Sequence, residues 1–265
     1  QPLAGETLLL CAEQGAGDLI QFARFVPAIA ARGGRILLEC PASLTRLMRT
    51  LAGVDDLVDP TRPCPEASLQ FPIMSLPRVL GRDFRPRPVT APYLASAGDE
   101  NPALESLLKG PDLKVGVVWN GDHDNPQNPV RSCRPEDFGV LSEIDGVQLV
   151  SLQYRDDGLT AGELDSHGIL SLGSALGDFA SAGSILERLD LTITIDTAVA
   201  HLAGALNRSA WVLLSRPSDW RWPDAGSSTP WYESLRLFHQ PSAGDWAGVF
   251  ERVAGELRTL QRTRT

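Results

Sequence analysis

Glycines and an aspartate follow the first apolar run of the chain, in the segment EQGAGD at residues 13–18. Gly15 and Gly17 would let the backbone turn sharply and approach a ligand closely. Asp18 falls in the first turn of a predicted helix, where the helix dipole favours an ionised carboxylate. Facing a cleft, such a carboxylate could act as a general base toward a hydroxyl, although most aspartates at this position only cap the helix. A dinucleotide-binding GxGxxG motif is excluded, because Asp-Leu-Ile follows Gly17.

A second polar group follows the apolar run LTITI, where Asp196 and Thr197 precede a predicted helix. The free amides at the start of that helix, at Thr197 and Ala198, predict a phosphate site. His201 lies one helical turn beyond Thr197 and shares its face. The structural alternatives are a plain helix cap for Asp196 and a hydrogen-bonded core residue for His201.

A third polar segment starts at Trp119, the last residue of the predicted strand 113–119, and ends with Arg131 and Ser132. Arg131 could bind a diphosphate through two parallel hydrogen bonds. Trp119 and Ser132, at the two ends of this segment, are further candidates for donor binding, because the segment should lie at the carboxyl-end cleft. Gln153 is another candidate.

Tryptophans are concentrated near residue 220, in the segment DWRWP and in Trp231. Trp220 is the candidate for stacking on a nucleoside base or sugar, whereas packing under a long loop is the alternative for at least one of these indoles.

Composition restricts the class of protein. The 265 residues carry a net charge of −9, which argues against nucleic acid as a partner, because binding phosphates along a strand requires clustered Lys and Arg. No apolar run reaches the roughly 20 residues that span a bilayer, and the first residues lack the pattern of a signal peptide. The four cysteines are far apart and predict reduced thiols. We therefore expect a cytoplasmic protein.

Short apolar runs alternate with helical segments along the whole chain, which predicts parallel α/β structure. Strands are expected at 6–12, 35–40, 56–58, 69–71, 113–119, 147–152, 191–195, 210–215 and 235–239. Helices are expected at 18–31, kinked at Pro27, and at 41–51, 103–109, 135–144, 178–188, 197–206 and 245–260.

A proline-rich stretch divides these elements into two series. The sequence therefore predicts an N-terminal Rossmann-like domain at residues 1–95, a linker at 96–112 and a C-terminal Rossmann-like domain at 113–265. The two domains should face each other across a cleft at the carboxyl ends of their strands.

Three stretches resemble a known family: AEQGAGDLIQFARFVPAIAARG, ITIDTAVAHLAGAL and DWRWPD followed by STPWY. They are similar to the glycosyltransferase region that follows tetratricopeptide repeats in bacterial proteins, and to the ADP-heptose:lipopolysaccharide heptosyltransferases of glycosyltransferase family 9. A more distant similarity is to the catalytic part of O-linked N-acetylglucosamine transferases. The resemblance covers nearly the whole chain and implies a GT-B fold.

The resemblance also implies roles for single residues. Asp18 matches the aspartate that serves as the base, while Asp196, Thr197 and Ala198 match the segment that contacts the donor sugar and diphosphate, supported by His201. Arg131 falls where the family places a basic residue against the phosphates. The implied enzyme is inverting and metal-independent, so no cofactor is expected. Residues 122–124 superficially resemble a DxD metal motif, but they lie in an Asn-rich loop.

The predicted function is transfer of a heptose or other hexose-like sugar from a nucleotide-diphosphate donor to a hydroxyl. The acceptor class stays open among glycan, lipid-linked and protein acceptors, and peripheral membrane association is compatible with the family. Repeats such as those that precede the related regions are absent from this sequence. The main alternative is an inactive nucleotide-sugar-binding module that partners a repeat domain. A nucleotide-sugar epimerase is the other.

Overall fold

The computed structural model describes residues 3, 5–63, 65–81, 88–96, 98, 102–153, 159–172 and 176–264. Below, the N-terminal half denotes the described residues up to 81, and the C-terminal half denotes those from 102 onward.

The N-terminal half forms a parallel sheet in the order β3-β2-β1-β4. Its strands are β1 Thr7–Cys11, β2 Arg35–Glu39, β3 Asp56–Val58 and β4 Leu69–Pro72. Its helices are α1 Ala16–Ala23, α2 Val26–Ala30, α3 Thr45–Met48 and α4 Leu76–Leu80, with 3₁₀ turns at Ala42–Leu44 and Ile73–Ser75. In the central strand, Leu8 pairs with Ile36 on one side and with Leu69 on the other.

The C-terminal half forms a second parallel sheet in the order β10-β9-β8-β5-β6-β7. Its strands are β5 Leu113–Val118, β6 Val147–Ser151, β7 Ile169–Leu170, β8 Leu191–Ile195, β9 Ala210–Leu214 and β10 Leu235–His239. Its helices are α5 Pro102–Leu107, α6 Asn128–Arg131, α7 Gly139–Ser142, α8 Ala161–Ser166, α9 Phe179–Leu186, α10 Ala198–Ala205 and α11 Trp246–Arg264, with a 3₁₀ turn at Pro135–Phe138. The central strands are buried along their length, as their continuous apolar sequences require.

One hydrophobic core joins the two halves. It runs from Ile20 and Phe22 of α1 to Leu202 of α10 and to Trp231 and Tyr232 of the loop before β10. A second core lies on the other face of the second sheet, beneath α7 and α11. The helices that carry the candidate site are therefore packed against each other as well as against their own sheets.

The segment before the predicted linker is bound to the C-terminal half. The Val89 amide donates to the Trp231 carbonyl at 2.9 Å, and the Tyr93 amide donates to the Ala205 carbonyl at 3.1 Å. The domain boundary at residues 95/96 remains a prediction.

The predicted α/β class with parallel sheets is confirmed, while several elements differ in extent. The helix predicted at 18–31 is two helices, α1 and α2, and Pro27 lies in the first turn of the second, where its missing amide costs no bond. The helices predicted at 41–51 and 135–144 each begin as a 3₁₀ turn and end early. Four elements were not predicted, α4, α6, α8 and β7, because runs of two to six residues carry little periodicity.

Cys40 and Cys133 are buried free thiols, and Cys64 lies outside the described residues. Burial raises the pKa of the Cys40 thiol to about 11 and that of Cys133 well above its usual value. Both are therefore protonated core residues. Within the described residues, no helix has the length and apolar character needed to cross a membrane.

Candidate functional site

A cleft of about 780 Å³ lies between the two halves. Its walls come from the segments that follow six strands: residues 13–18 after β1, 41 and 43 after β2, 120–122, 124–126 and 131 after β5, 153 after β6, 196–199 and 201 after β8, and 219 and 221 after β9. Parallel strands bring these loops to one edge of each sheet. The cleft thus joins the three polar segments that the sequence singled out.

The first turns of α1 and α10 meet at this cleft. A Cβ atom on Gly17 would lie 3.2 Å from Ala198 Cα and 3.0 Å from His201 Cδ2. Gly17 is therefore needed for helix packing, and the ligand approach expected for it is not what the geometry requires. Gly15 precedes α1 with a φ of −73°, which any residue can adopt, so no special turn conformation requires a glycine there either.

Asp18 is the third residue of α1, and its carboxylate borders the cleft with 17% of the side chain exposed. Its Oδ2 accepts a hydrogen bond from the Gly15 amide at 3.1 Å, which caps the helix. Its Oδ1 forms an ion pair with Nη2 of Arg221. Both oxygens of the candidate base are thus already in use.

Arg221 reaches Asp18 from the loop between β9 and β10 in the C-terminal half. Its Nε donates to Gln21 Oε1 at 3.0 Å, and its Nη1 donates to Asp219 Oδ1 at 2.8 Å. Only 10% of the Arg221 side chain is exposed. The Trp220 ring lies against its guanidinium, with 4.5 Å between the ring centroid and Cζ. One arginine therefore links the two walls of the cleft.

Asp196 and Thr197 lie at the end of β8, where α10 begins. Thr197 is the N-cap, and its hydroxyl accepts from the Val199 amide at 3.3 Å and contacts the Thr194 hydroxyl at 3.0 Å. Burial raises the pKa of Asp196, and the opposing effects of the Trp222 indole, Arg131 and Arg221 do not cancel it. The Trp222 indole acts on Asp196 as a hydrogen-bond donor, although the contact of its buried Nε1 lacks ordinary hydrogen-bond geometry.

His201 lies one turn into α10 and is buried, with 4% exposure. Its Nδ1 is 3.1 Å from the Tyr232 hydroxyl, and its ring is stacked on Trp222 with a centroid distance of 5.5 Å. Burial, with Arg221 nearby, lowers the His201 pKa to about 3. The ring is therefore neutral at pH 7, and its main contacts are those of a core residue at the floor of the cleft.

Arg131 lies at the end of α6, on the cleft wall that the C-terminal half forms. Its Nε is buried without a hydrogen-bond partner, and within the described residues its guanidinium forms no ion pair. It lies above Gly121, where a Cβ atom would be 3.0 Å from Nη2. A guanidinium with a buried, unbonded Nε at a cleft wall is suited to bind an anion, because a buried donor without an acceptor is costly.

Side-chain amides hold the loop that carries Arg131. Gln153 both accepts from the Asn120 amide at 3.2 Å and donates to the Asn120 carbonyl at 3.0 Å. Asn128 donates to Asn120 Oδ1 at 2.8 Å, and Ser132 Oγ contacts the side-chain oxygens of both asparagines. Gln153 also lines the cleft, whereas Ser132 acts on the loop from behind it.

Comparisons with known proteins bear on the fold. No model of a known protein family matches the chain. Protein FlbA of Caulobacter vibrioides is 27% identical over 97% of this chain, which spans 47% of the length of FlbA. The glycosyl transferase family 9 structure from Veillonella parvula has a TM-score of 0.66 at 9% identity, with 98% of both chains covered. The E. coli heptosyltransferase WaaC with ADP has a TM-score of 0.59 at 9% identity, covering 97% of this chain and 99% of that one.

The fold is that of the family 9 glycosyltransferases. The prediction of a GT-B fold is thereby confirmed.

Three of the predicted donor-binding residues lie away from the cleft wall: Trp119, Trp220 and Ser132. Trp119 is 2% exposed and packs edge-to-face with Phe138, at a centroid distance of 6.4 Å, in the core beneath the second sheet. Its side chain points to the opposite face of the sheet from the cleft, because it continues the alternation of β5 by one residue. Trp220 is 63% exposed and covers Arg221, and Ser132 belongs to the loop network.

Three charged residues border the cleft although sequence reasoning gave them no role: Arg221, Asp219 and Glu13. Arg221 is flanked by tryptophans in DWRWP, and those aromatic residues drew the functional interpretation instead. The sequence does contain a feature that points to Arg221. A single arginine between Asp219 and Asp224 in an otherwise apolar segment indicates that this charge has a specific partner in the fold.

Among the described residues that line the cleft, carboxylates outnumber cations, but these carboxylates do not form a metal-binding cluster. Among the described residues, no three His, Cys, Asp or Glu side chains are grouped as metal ligands. Asp122 and Asp124 line the cleft, and Asp122 Oδ1 accepts from the Asp124 amide at 3.2 Å, as in a local turn.

Proposed function

We propose that this chain is an inverting glycosyltransferase that moves a sugar from a nucleotide-diphosphate donor to a hydroxyl acceptor without a metal ion. One observation carries the proposal: a carboxylate of the N-terminal half, Asp18, borders the same cleft as the α10 N-terminus and the unpaired Arg131 of the C-terminal half. A transferase of this class needs a base on one wall and an anion site on the other.

The diphosphate site is proposed at α10 and Arg131. The first amides of a helix have no acceptor within the helix, so those of Thr197 and Ala198 are free to bind phosphate oxygens. Arg131 adds a full positive charge from the loop after β5 of the same half. Asp196 lies beside them, and its raised pKa suits a group that donates to or accepts from a sugar hydroxyl. The solved structure of WaaC with ADP supports a nucleoside diphosphate as the first ligand to test.

The reaction follows from this placement. Asp18 accepts the proton of the acceptor hydroxyl while the oxygen of that hydroxyl attacks the anomeric carbon. The bond from that carbon to the diphosphate oxygen breaks on the opposite face, which inverts the configuration. The α10 amides and Arg131 stabilise the negative charge that develops on the leaving diphosphate, so no metal is required. A heptose or another hexose-like sugar is the proposed donor sugar.

A second candidate is a nucleotide-sugar-binding module without turnover. One observation favours it: both oxygens of Asp18 are engaged, by Arg221 and by the Gly15 amide. A paired carboxylate is a weaker base than a free one. This module would bind the donor and release no product.

Asp18→Asn distinguishes the two candidates. Wild-type and variant proteins are incubated in EDTA with radiolabelled ADP-heptose and bacterial extract, and label is counted in the lipid, polysaccharide and protein fractions. We expect Asp18→Asn to reduce incorporation about 10²–10⁴-fold without weakening donor binding. Glu13→Gln is the matched control, because Glu13 borders the same wall and its Oε2 accepts a hydrogen bond from the Met74 amide at 3.2 Å, away from Arg221.

Equal incorporation by wild type and Asp18→Asn would show that Asp18 is not the base. Donor binding with no incorporation by wild type would favour the binding module. The fraction that retains label identifies the acceptor class. Association with a repeat domain, peripheral membrane binding and a cytoplasmic location remain predictions.

A further inference from the structure

Arg221 is held at the cleft by contacts of two kinds. Gln21 is fully buried in α1 and fixes the Nε end of the guanidinium at 3.0 Å. The two Nη atoms instead bind carboxylates at the cleft, Asp18 and Asp219, of which Asp219 is about one-third exposed. On its outer side the guanidinium is covered by the exposed ring of Trp220. The Nη end can therefore change partners while the Nε end keeps its own.

The same guanidinium lies beside the proposed diphosphate site. Its charge influences both Asp196 and His201, which flank the first turn of α10. Asp18 and the α10 N-terminus are themselves adjacent, since Gly17 packs directly on Ala198. An anion at the α10 amides would thus compete with Asp18 for Arg221.

We propose that Arg221 exchanges Asp18 for the donor diphosphate, so that donor binding releases the base. This inference rests on the proposed function. A diphosphate presents more negative charge and more acceptor oxygens than one carboxylate, and arginine binds phosphate through two parallel hydrogen bonds. Before donor binds, the ion pair holds Asp18 as a weak base. After the exchange, Asp18 keeps its Gly15 contact and regains a free oxygen for the acceptor hydroxyl.

The exchange makes a prediction that a purely structural ion pair does not. Removing the charge of Asp18 removes the competitor for Arg221, so Asp18→Asn should bind nucleoside diphosphate more tightly than wild type. Arg221→Gln should bind more weakly, by about tenfold, because a charge-assisted hydrogen bond is lost. The double variant should behave like Arg221→Gln alone, since the competition no longer exists.

The experiment is calorimetric titration of the full chain with ADP, UDP and GDP, and with inorganic pyrophosphate as a probe without a base, all in EDTA. Glu256→Gln is the matched control. It breaks the half-exposed ion pair between Arg236 Nη2 of β10 and Glu256 Oε1 of α11, 2.6 Å apart, and should leave affinity unchanged. We expect Asp18→Asn to tighten binding about threefold or more, as the cost of separating a partly buried ion pair is removed.

The outcomes separate the two proposals. If neither wild type nor Asp18→Asn binds any of these ligands, the proposed function fails and the exchange fails with it. If wild type binds and Asp18→Asn binds equally or more weakly, the exchange alone is overturned. Should Arg221→Gln not fold, as judged by circular dichroism, Arg221→Lys replaces it, and the Asp18→Asn arm still decides.

Discussion

Gly17 of α1 and Ala198 of α10 are in backbone contact across the cleft: a Cβ atom on Gly17 would lie 3.2 Å from Ala198 Cα. The two residues come from different halves of the chain. Gly17 directly precedes the proposed base, and Ala198 belongs to the proposed diphosphate site. Because no side chain separates the helices, Asp18 and Thr197 are held at fixed positions relative to each other. This contact connects helix packing to the geometry of the cleft.

Gly17→Ala should therefore destabilise the protein, although alanine favours a helix more than glycine does. The added methyl meets the Ala198 backbone and the His201 ring, which is stacked on Trp222 and has no room to move. We expect the free energy of unfolding in urea to fall by about 1–3 kcal/mol. Gly255→Ala in α11, where a Cβ atom meets nothing within 4 Å, should instead stabilise by about 0.5–1 kcal/mol. Equal effects at the two sites would contradict the packing role of Gly17.

Arg131→Gln should weaken ADP binding about tenfold and leave stability nearly unchanged. The physical reason is that the Arg131 Nε is buried without a partner, so the fold loses no hydrogen bond when it is removed. Calorimetric titration and urea unfolding measure the two effects. Arg134→Gln is the control, since Arg134 is 76% exposed and pairs with Asp137 on the surface. A loss of stability without a loss of affinity would refute the anion-binding role.

His201 should make stability depend on pH. Its folded-state pKa is about 3, below the 6.5 of an unfolded histidine. The unfolded state therefore binds a proton that the folded state does not, and the free energy of unfolding decreases as pH falls from about 6.5 toward 3. At pH 5 the titration of His201 lowers the free energy of unfolding by about 2 kcal/mol.

The measurement compares urea unfolding at pH 7.5 and pH 5 in wild type, His201→Gln and the exposed-site control His123→Gln. His201→Gln should lose less stability on acidification than wild type, while His123→Gln should match wild type. An unchanged pH dependence in His201→Gln would show that another group titrates.

Trp119→Phe should reduce stability by about 1–2 kcal/mol and leave ADP affinity unchanged, because Trp119 packs on Phe138 in the core and not in the cleft. Trp220→Ala offers the opposite comparison: its ring is exposed, so little stability should be lost. Urea unfolding and calorimetric titration are run on both variants. Weakened ADP binding by Trp119→Phe at full stability would restore the donor-binding role that the sequence predicted for it.

Sequence alone determined the α/β class, because the fully apolar strands, such as residues 191–195, and the helices between them are local patterns. It also indicated that residues 13–18, 119–132 and 196–201 would meet, since loops after parallel strands gather at one edge. Short elements such as Ile169–Leu170 were out of reach, because two residues have no measurable period.

Tertiary structure alone decided which side chains in those loops face the cleft. The Asp18–Arg221 ion pair joins residues 203 positions apart, and no local pattern encodes such a contact. The direction of Trp119 depends on where β5 ends its alternation, and a shift of one residue exchanges core for cleft. Charge pairing and side-chain direction are properties of packed elements, whereas periodicity is a property of the chain.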